Sequence, residues 1–213
     1  MSVQAPSAPS IVAEKASRAV DERALRSLFI EARTANGFHA EPIPRAILEQ
    51  IVELAELGPT AGNSVPLRVV FVESAAGKAR LLPAVSPGNV EKTTAAPVTA
   101  IIAADLHFYE HLPRLFPHLD IRSNFVGEEN AEKAREFAKM NATLQGAYLM
   151  LAARGLGLDV GPMGGFDRAA VDAEFFPDGG LAALWLVNLG YGDDSKLFPR
   201  NPRLEVNEVA SFA

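Results

Sequence analysis

The sequence of 213 residues contains no cysteine. This absence excludes disulfides, thiolate nucleophiles, and cysteine-ligated metal or iron–sulfur centres. If the protein carries out redox chemistry, the electrons must therefore pass through a bound cofactor.

The chain also lacks an apolar run close to the roughly 20 residues that a membrane-spanning helix needs. Its N-terminus has no basic stretch followed by an apolar one, so we expect a cytoplasmic protein and no membrane partner. Excess positive charge is absent too, because 26 acidic and 20 basic residues give a formal net charge of -6. This balance argues against nucleic acid as a partner.

The distribution of apolar residues predicts one domain over residues 16–213, preceded by a flexible leader rich in Pro, Ser and Ala over residues 1–15. Helical periodicity predicts three helices, over residues 16–30, 44–57 and 131–156. Short apolar runs rich in β-branched residues predict three strands, over residues 68–73, 95–105 and 181–191. The intervening residues 106–130, rich in aromatic residues, His and Pro, predict an irregular or short-helical excursion.

The predicted helices and strands alternate only loosely, which favours an α+β fold with a sheet sandwiched by helices over a regular doubly wound sheet. Neither the GxGxxG pattern nor the P-loop pattern follows a predicted strand. A nucleotide or flavin, if one binds, is therefore held by other means.

The junction LGPTAGNSVP, at residues 57–66, places many small and turn-forming residues between a predicted helix and a predicted strand. Small residues allow the backbone to approach a ligand closely. A helix-ending turn explains Gly58 and Pro59, but it does not explain Thr60, Asn63 and Pro66 together.

Four further fragments have a similar character: ARTANGF at 32–38, GNVEK at 88–92, GPMGGFD at 161–167 and PRNPRL at 199–204. In this order, and with the junction, they resemble the FMN-dependent nitroreductase family. The resemblance implies a nitroreductase-like mixed sheet sandwiched by helices, a domain-entwined homodimer with two flavins at its interface, and FMN as cofactor.

The resemblance assigns the FMN phosphate and ribityl chain to the two ends of the chain. It implies contacts from Arg33, Thr34 and Asn36 near the N-terminus and from Arg200 and Arg203 near the C-terminus. Guanidinium groups suit this role because they bind phosphate through paired hydrogen bonds. The family has basic residues where this chain has Ala32 and Asn36, so less positive charge is available here.

The resemblance assigns the flavin ring to the middle of the chain. The junction implies contacts with the isoalloxazine ring from Pro59, Thr60, Ala61 and Asn63. The GNVEK fragment implies contacts with the ribityl chain and the pyrimidine side of the ring from Asn89 and Lys92, and a fixed ammonium there stabilises the reduced, negatively charged flavin. In GPMGGFD, the resemblance implies that the backbone N–H groups of Gly164 and Gly165 face the flavin nitrogen that carries the hydride. Asp167 is expected to cap the next helix.

Longer segments resemble the malonic semialdehyde reductase branch of this family, which acts in pyrimidine degradation: LGPTAGNSVP, FYEHLPRLFPH, LQGAYLMLAARGLGLDVGPMGGFD and NLGYGDDSKLFPRNPRL. This resemblance implies reduction of the small-molecule substrate 3-oxopropanoate to 3-hydroxypropanoate with NADH or NADPH through FMN. A broad-specificity nitroaromatic or quinone reductase is the alternative on the same scaffold. A protein that holds FMN without catalysis is the alternative from another class.

A substrate with a carboxylate needs a cation near it, and Arg122 in the excursion is the candidate for this catalytic role. A surface arginine on a mobile loop is the other interpretation. His107 and His111 lie four residues apart and would face one way on a helix, with His118 and Asp120 close behind. No second cluster accompanies them, so we expect exposed or active-site-lining histidines rather than a metal site.

Overall fold

An antiparallel sheet organises the structure, a computed structural model that describes residues 19–213. Its strands are β1 (Leu67–Val72), β2 (Val98–Asp105), β3 (Asp159–Met163) and β4 (Leu181–Gly190), in the order β1-β2-β4-β3. All three ladders are antiparallel, and an isolated parallel bridge joins Thr34 to Val160 in β3. The predicted strands are confirmed, whereas β3 was not predicted as a strand.

The α-helices are α1 (Glu22–Leu25), α2 (Arg45–Glu56), α3 (Ala75–Leu81), α4 (Pro87–Ala95), α5 (Leu112–Leu115), α6 (Ala131–Gly155), α7 (Arg168–Phe175) and α8 (Val206–Val209). A π-helical turn over Arg26–Ile30 extends α1. The predicted helix over 16–30 is present from Glu22, whereas residues 19–21 are not helical, and residues 16–18, like the predicted leader, lie outside the described residues. Phe29 in the π-helical turn is exposed, whereas Leu25 and Leu28 are half-buried.

Helices cover both faces of the sheet, as predicted for an α+β fold. Successive residues of β2 point to opposite faces, so Ile102 packs with α2 and α6 while Ile101 packs with α3 and α7. Every residue of β2 is buried, which explains why its sequence is an apolar run without alternation.

Two predicted helices are confirmed with small changes. Pro44 precedes the first turn of α2, where its missing N–H costs nothing. Leu48, Ile51 and Ala55 form the buried face of α2, and Leu54 is exposed. Helix α6 ends at Gly155, and Gly157 follows with φ of +85°, a conformation that favours glycine.

The excursion over residues 106–130 contains α5 and three short 3-10 helices, in agreement with the prediction. The rings of Phe108 and Phe125, with centroids 5.0 Å apart, pack against Phe137 of α6 and anchor the excursion to that helix. None of the helices within residues 19–213 is both long and apolar enough to cross a membrane.

Candidate functional site

Four arginine side chains line one cavity of about 800 Å³ between residues 29–36 and the C-terminal residues 198–206. They are Arg33, Arg154, Arg200 and Arg203, and Thr34 and Asn36 lie beside them. The structure therefore brings together the five residues that the sequence predicted for a phosphate group. Such a concentration of guanidinium groups suits a phosphate dianion.

The two ends of the chain hold each other at this cavity through arginine side chains. Arg33 donates from Nη2 to the Phe198 carbonyl, and Arg200 donates from Nη2 to the Ile30 carbonyl at 2.7 Å. Among residues 19–213, Arg203 donates only to the neighbouring carbonyls of Asn201 and Pro202. Because a guanidinium has five N–H donors, each arginine keeps donors available for a ligand.

Arg154 lines the cavity from the last turn of α6 and was not predicted from the sequence. It donates from Nη1 to the Leu28 carbonyl at 3.3 Å. Burial lowers the pKa of the Arg154 guanidinium, and the carboxylate of Asp159 offsets part of this effect. A basic residue in the last turn before a glycine stop is also a common helix-capping choice, so the sequence signal did not point to a ligand.

Strand β3 positions the segment that carries Arg33 and Thr34. The Ala35 N–H donates to the Val160 carbonyl at 3.0 Å, next to the parallel bridge between Thr34 and Val160. A Cβ at Gly161 would lie 2.7 Å from the Ala35 carbonyl oxygen, so this close approach requires glycine. The segment is thereby fixed against the edge of the sheet.

The small-residue junction forms a tight loop with an unusual backbone. Its 3-10 turn spans Ala61–Asn63, and Gly62, Asn63 and Val65 have φ values of +61°, +49° and +41°. A β-branched residue such as Val65 is strained in this region. Strain of this kind clusters at ligand-binding sites.

Two side-chain amides of α6 clamp this loop at both ends. Asn141 Oδ1 accepts a hydrogen bond from the Ala61 N–H at 2.8 Å, and Gln145 Oε1 accepts one from the Leu67 N–H at 3.2 Å. Both amides are buried, with exposures of 1% and 0%. Their spacing of four residues places them on one face of α6, but sequence reasoning did not select them because isolated amides in a helix are ordinary surface residues.

The GPMGGFD turn contacts the helix that contains GNVEK. Asn89 donates from Nδ2 to the Gly165 carbonyl at 3.0 Å, and the Ser86 N–H donates to the same oxygen at 3.0 Å. The N–H groups of Gly164 and Gly165 form no hydrogen bond with other residues in the described part of the chain. Asp167 caps α7 by accepting from the Ala170 N–H, as expected.

Lys92 lies on α4, half-buried, and its Nζ forms neither a hydrogen bond nor an ion pair within residues 19–213. It therefore keeps all three donors available for a ligand. The arginine cavity is not lined by Lys92. It is also not lined by the loop at residues 57–66 (the junction loop) or by the GPMGGFD turn (the glycine turn). Within one chain, the predicted cofactor residues thus form separate groups.

The structure does not bring Arg122 to these groups. Its guanidinium forms a bidentate ion pair with Glu110, with hydrogen bonds of 2.9 and 2.8 Å. It lines a separate cavity of about 300 Å³ within the excursion. A substrate carboxylate that binds Arg122 would therefore have to replace Glu110.

The histidine pair adopts a different arrangement from the helical one considered above, because His107 precedes the 3-10 turn Phe108–His111. His111 Nε2 lies 3.6 Å from Asp105 Oδ2, and Asp105 also accepts from the guanidinium of Arg68 and from the His107 N–H. No group of three or more His, Cys, Asp or Glu side chains suited to a metal ion occurs within residues 19–213.

The sequence profile of the Nitroreductase family matches residues 31–191. This chain belongs to the nitroreductase family. The match includes the junction, the GNVEK helix and the glycine turn, while Arg200 and Arg203 follow it.

Relatives that are more than 50% identical cover nearly the whole chain. A Burkholderia lata protein with the provisional name NADH dehydrogenase/NAD(P)H nitroreductase is 51% identical over 191 residues, which are 90% of this chain and 97% of the relative. A Rhodopseudomonas palustris protein with the same provisional name is 54% identical over 185 residues, covering 87% and 93% of the two chains.

Solved structures confirm the nitroreductase-like fold. A provisionally named nitroreductase from Bacillus subtilis aligns with a TM-score of 0.77 and 23% identity over 91% of this chain and 100% of its own. A structure from Exiguobacterium sibiricum, in complex with FMN, aligns with a TM-score of 0.78 and 21% identity over 92% and 98% of the chains. At these identities the similarity concerns the fold alone.

Proposed function

We propose that this chain is an FMN-dependent NAD(P)H oxidoreductase that reduces a small semialdehyde. The observation that supports FMN most directly is the cavity in which Arg33, Arg154, Arg200 and Arg203 meet. The names of the relatives refer to NAD(P)H, and a structural neighbour was solved with FMN.

The residues present fit this cofactor. The arginine cavity suits its phosphate, and the glycine turn offers unpaired N–H donors without a side chain in front of Gly164, where a Cβ would meet nothing within 4 Å. When bound, FMN supplies hydride transfer between NAD(P)H and the substrate. The protein's own contribution is electrostatic: Lys92 and the N–H groups of Gly164 and Gly165 stabilise negative charge that develops on their ligand.

The substrate we propose is 3-oxopropanoate, on the basis of the long segments that resemble the semialdehyde reductase branch. Its reduction adds a hydride to the aldehyde carbon and a proton to the aldehyde oxygen. The substrate carboxylate needs a cation, and Arg122 can supply one by exchanging Glu110 for the substrate, since both partners of that pair are partly exposed. This exchange converts one ion pair into another, so its net cost is small.

A second function is favoured by the names of the relatives, which refer to nitroreductase activity. A nitroaromatic or quinone needs a mostly apolar slot and no cation for a carboxylate. The two functions therefore differ in their dependence on one local charge.

We also propose that the protein is a homodimer that builds each flavin site from both chains. Within residues 19–213 of a single chain, neither the junction loop nor the glycine turn lines the arginine cavity. On α6, Met140, Leu144 and Tyr148 form an exposed apolar stripe at four-residue spacing, and Met140 is 57% exposed. A second copy that covers this stripe would remove it from water.

The decisive experiment combines spectroscopy with kinetics on the purified protein. A yellow protein whose absorbance bleaches with NADH or NADPH is expected, and retention of colour with both would contradict an oxidoreductase. The kcat/KM for 3-oxopropanoate and for a nitrofuran then separates the two functions. A higher value for the nitrofuran would replace the semialdehyde proposal with the second function.

A further inference from the structure

Lys78, on α3, is a buried cation without an acidic partner. Lys78 is only 8% exposed, and it forms no ion pair with any of residues 19–213. Burial lowers the pKa of Lys78 to about 8, and no neighbouring carboxylate offsets this effect. A buried unpaired charge is costly, so its presence calls for a reason.

The ammonium of Lys78 is instead held by neutral groups. It donates to the Thr93 carbonyl at 2.7 Å and to Thr99 Oγ1 at 2.6 Å. Thr99 in turn donates to Asn188 Oδ1 at 2.7 Å, and Asn188 Nδ2 lies 3.5 Å from Thr93 Oγ1. These four residues thus form a closed, buried polar network that joins α3, α4, β2 and β4, with the Thr93 carbonyl as its one backbone member.

This network contacts two elements of the flavin site: the helix α4 and the end of β3, which leads into the glycine turn. Thr93 lies in the last turn of α4, where a cation also interacts favourably with the helix dipole, and the same helix carries Asn89 and Lys92. Thr93 Oγ1 donates to the sulfur of Met163 at 3.5 Å. Met163 ends β3 and immediately precedes Gly164.

We propose that Lys78 is a positioning residue for the flavin site: its bonds hold α4 in register with the end of β3, so that Lys92 and the N–H groups of the glycine turn face one ligand. The Asn89 to Gly165 hydrogen bond closes the connection from the other side. The inference rests on the proposed FMN function for its ligand, but the connection between α4 and the turn is a property of the chain itself.

The experiment compares three variants. Lys78→Met keeps the approximate length of the side chain and removes its donors. Thr99→Val removes one hydrogen-bond partner of Lys78 and provides a second test in case Lys78→Met does not fold. Leu81→Ala is the matched control, because Leu81 lies on the same helix, is fully buried and takes no part in the network. Amide hydrogen exchange of the apo protein, FMN affinity and the visible circular dichroism of bound FMN are measured for each.

We expect Lys78→Met and Thr99→Val to speed exchange in residues 86–95 and 163–167, to weaken FMN binding roughly tenfold, and to change the dichroism of bound FMN. Leu81→Ala should lower the melting temperature without this local pattern. The proposal would be overturned if Leu81→Ala showed the same faster exchange in residues 86–95 and 163–167. It would also be overturned if exchange in these residues stayed as in the wild type in both Lys78→Met and Thr99→Val. A wild-type protein that does not bind FMN would contradict the proposed function, while the exchange data would still test the role of Lys78.

Discussion

Asn89 donates from Nδ2 to the Gly165 carbonyl at 3.0 Å and so joins α4 to the turn that follows β3. A Cβ at position 165 would lie 2.5 Å from that same Nδ2 atom. The hydrogen bond from Asn89 can therefore form in this geometry only because residue 165 has no Cβ.

Gly165→Ala should break the hydrogen bond between the Asn89 amide and the turn, because the added methyl group displaces the end of the Asn89 side chain. We expect a destabilisation of about 0.5–1.5 kcal/mol from this loss, together with weaker FMN binding. Chemical denaturation and flavin titration measure the two effects. Gly88→Ala on α4 is the control, since its Cβ would meet nothing within 4 Å. Equal effects in the two variants would contradict a special role for position 165.

Arg33→Ala and Arg203→Ala should each weaken FMN binding by about 1.5–3 kcal/mol through loss of charge-assisted phosphate hydrogen bonds. The purified variants should lose their colour on dialysis. Arg45→Ala, which removes an exposed arginine paired with Glu49, is the control. Full flavin occupancy in both single variants and in the double variant would place the phosphate elsewhere.

Arg122→Ala should raise KM for 3-oxopropanoate and leave the turnover of a neutral quinone nearly unchanged, because only the charged substrate loses a partner. Glu110→Gln frees the same guanidinium and should lower KM for 3-oxopropanoate. Steady-state kinetics on both substrates provide the measurement. An equal loss on charged and neutral substrates in Arg122→Ala would assign the residue to structure or flavin binding.

The stability of the protein should depend on pH through Lys78. Its pKa is lowered to about 8 in the folded chain, so between pH 8 and about 10.5 the unfolded chain binds more protons at this position. The contribution of Lys78 to the unfolding free energy should therefore rise with pH across this window, by up to about 3 kcal/mol. The difference between wild type and Lys78→Met in urea unfolding isolates this contribution. A difference that stays constant or falls with pH would contradict it.

Leu144→Glu should disrupt the proposed dimer, because it places a charge in the middle of the exposed stripe on α6. We expect a shift toward monomer in analytical ultracentrifugation at micromolar concentration, with loss of bound FMN. Arg135→Glu is the control, because this exposed residue lies on the opposite side of the same helix from Leu144. A flavin-loaded monomer in the wild type would refute the shared site.

Several features of the site could be predicted from local sequence because they depend on local chemistry. Asp167 as a helix cap follows from one hydrogen bond, which its carboxylate accepts from the backbone N–H three residues later. The apolar runs of β1, β2 and β4 predict strands because a strand buried on both faces needs no alternation. The end of α6 follows from two glycines that interrupt its periodicity.

Other features were decided only by the tertiary structure. The sequence DVGPM contains Gly and Pro, which disfavour a strand, yet it forms β3 because an edge strand tolerates proline and β4 supplies its hydrogen bonds. Lys78 looks like a surface lysine until α4 and β2 close over it. Arg122 looks like a free cation until the fold of the excursion brings Glu110 beside it. In each case the deciding partner is distant along the chain or set by backbone folding, so a local pattern carries no information about it.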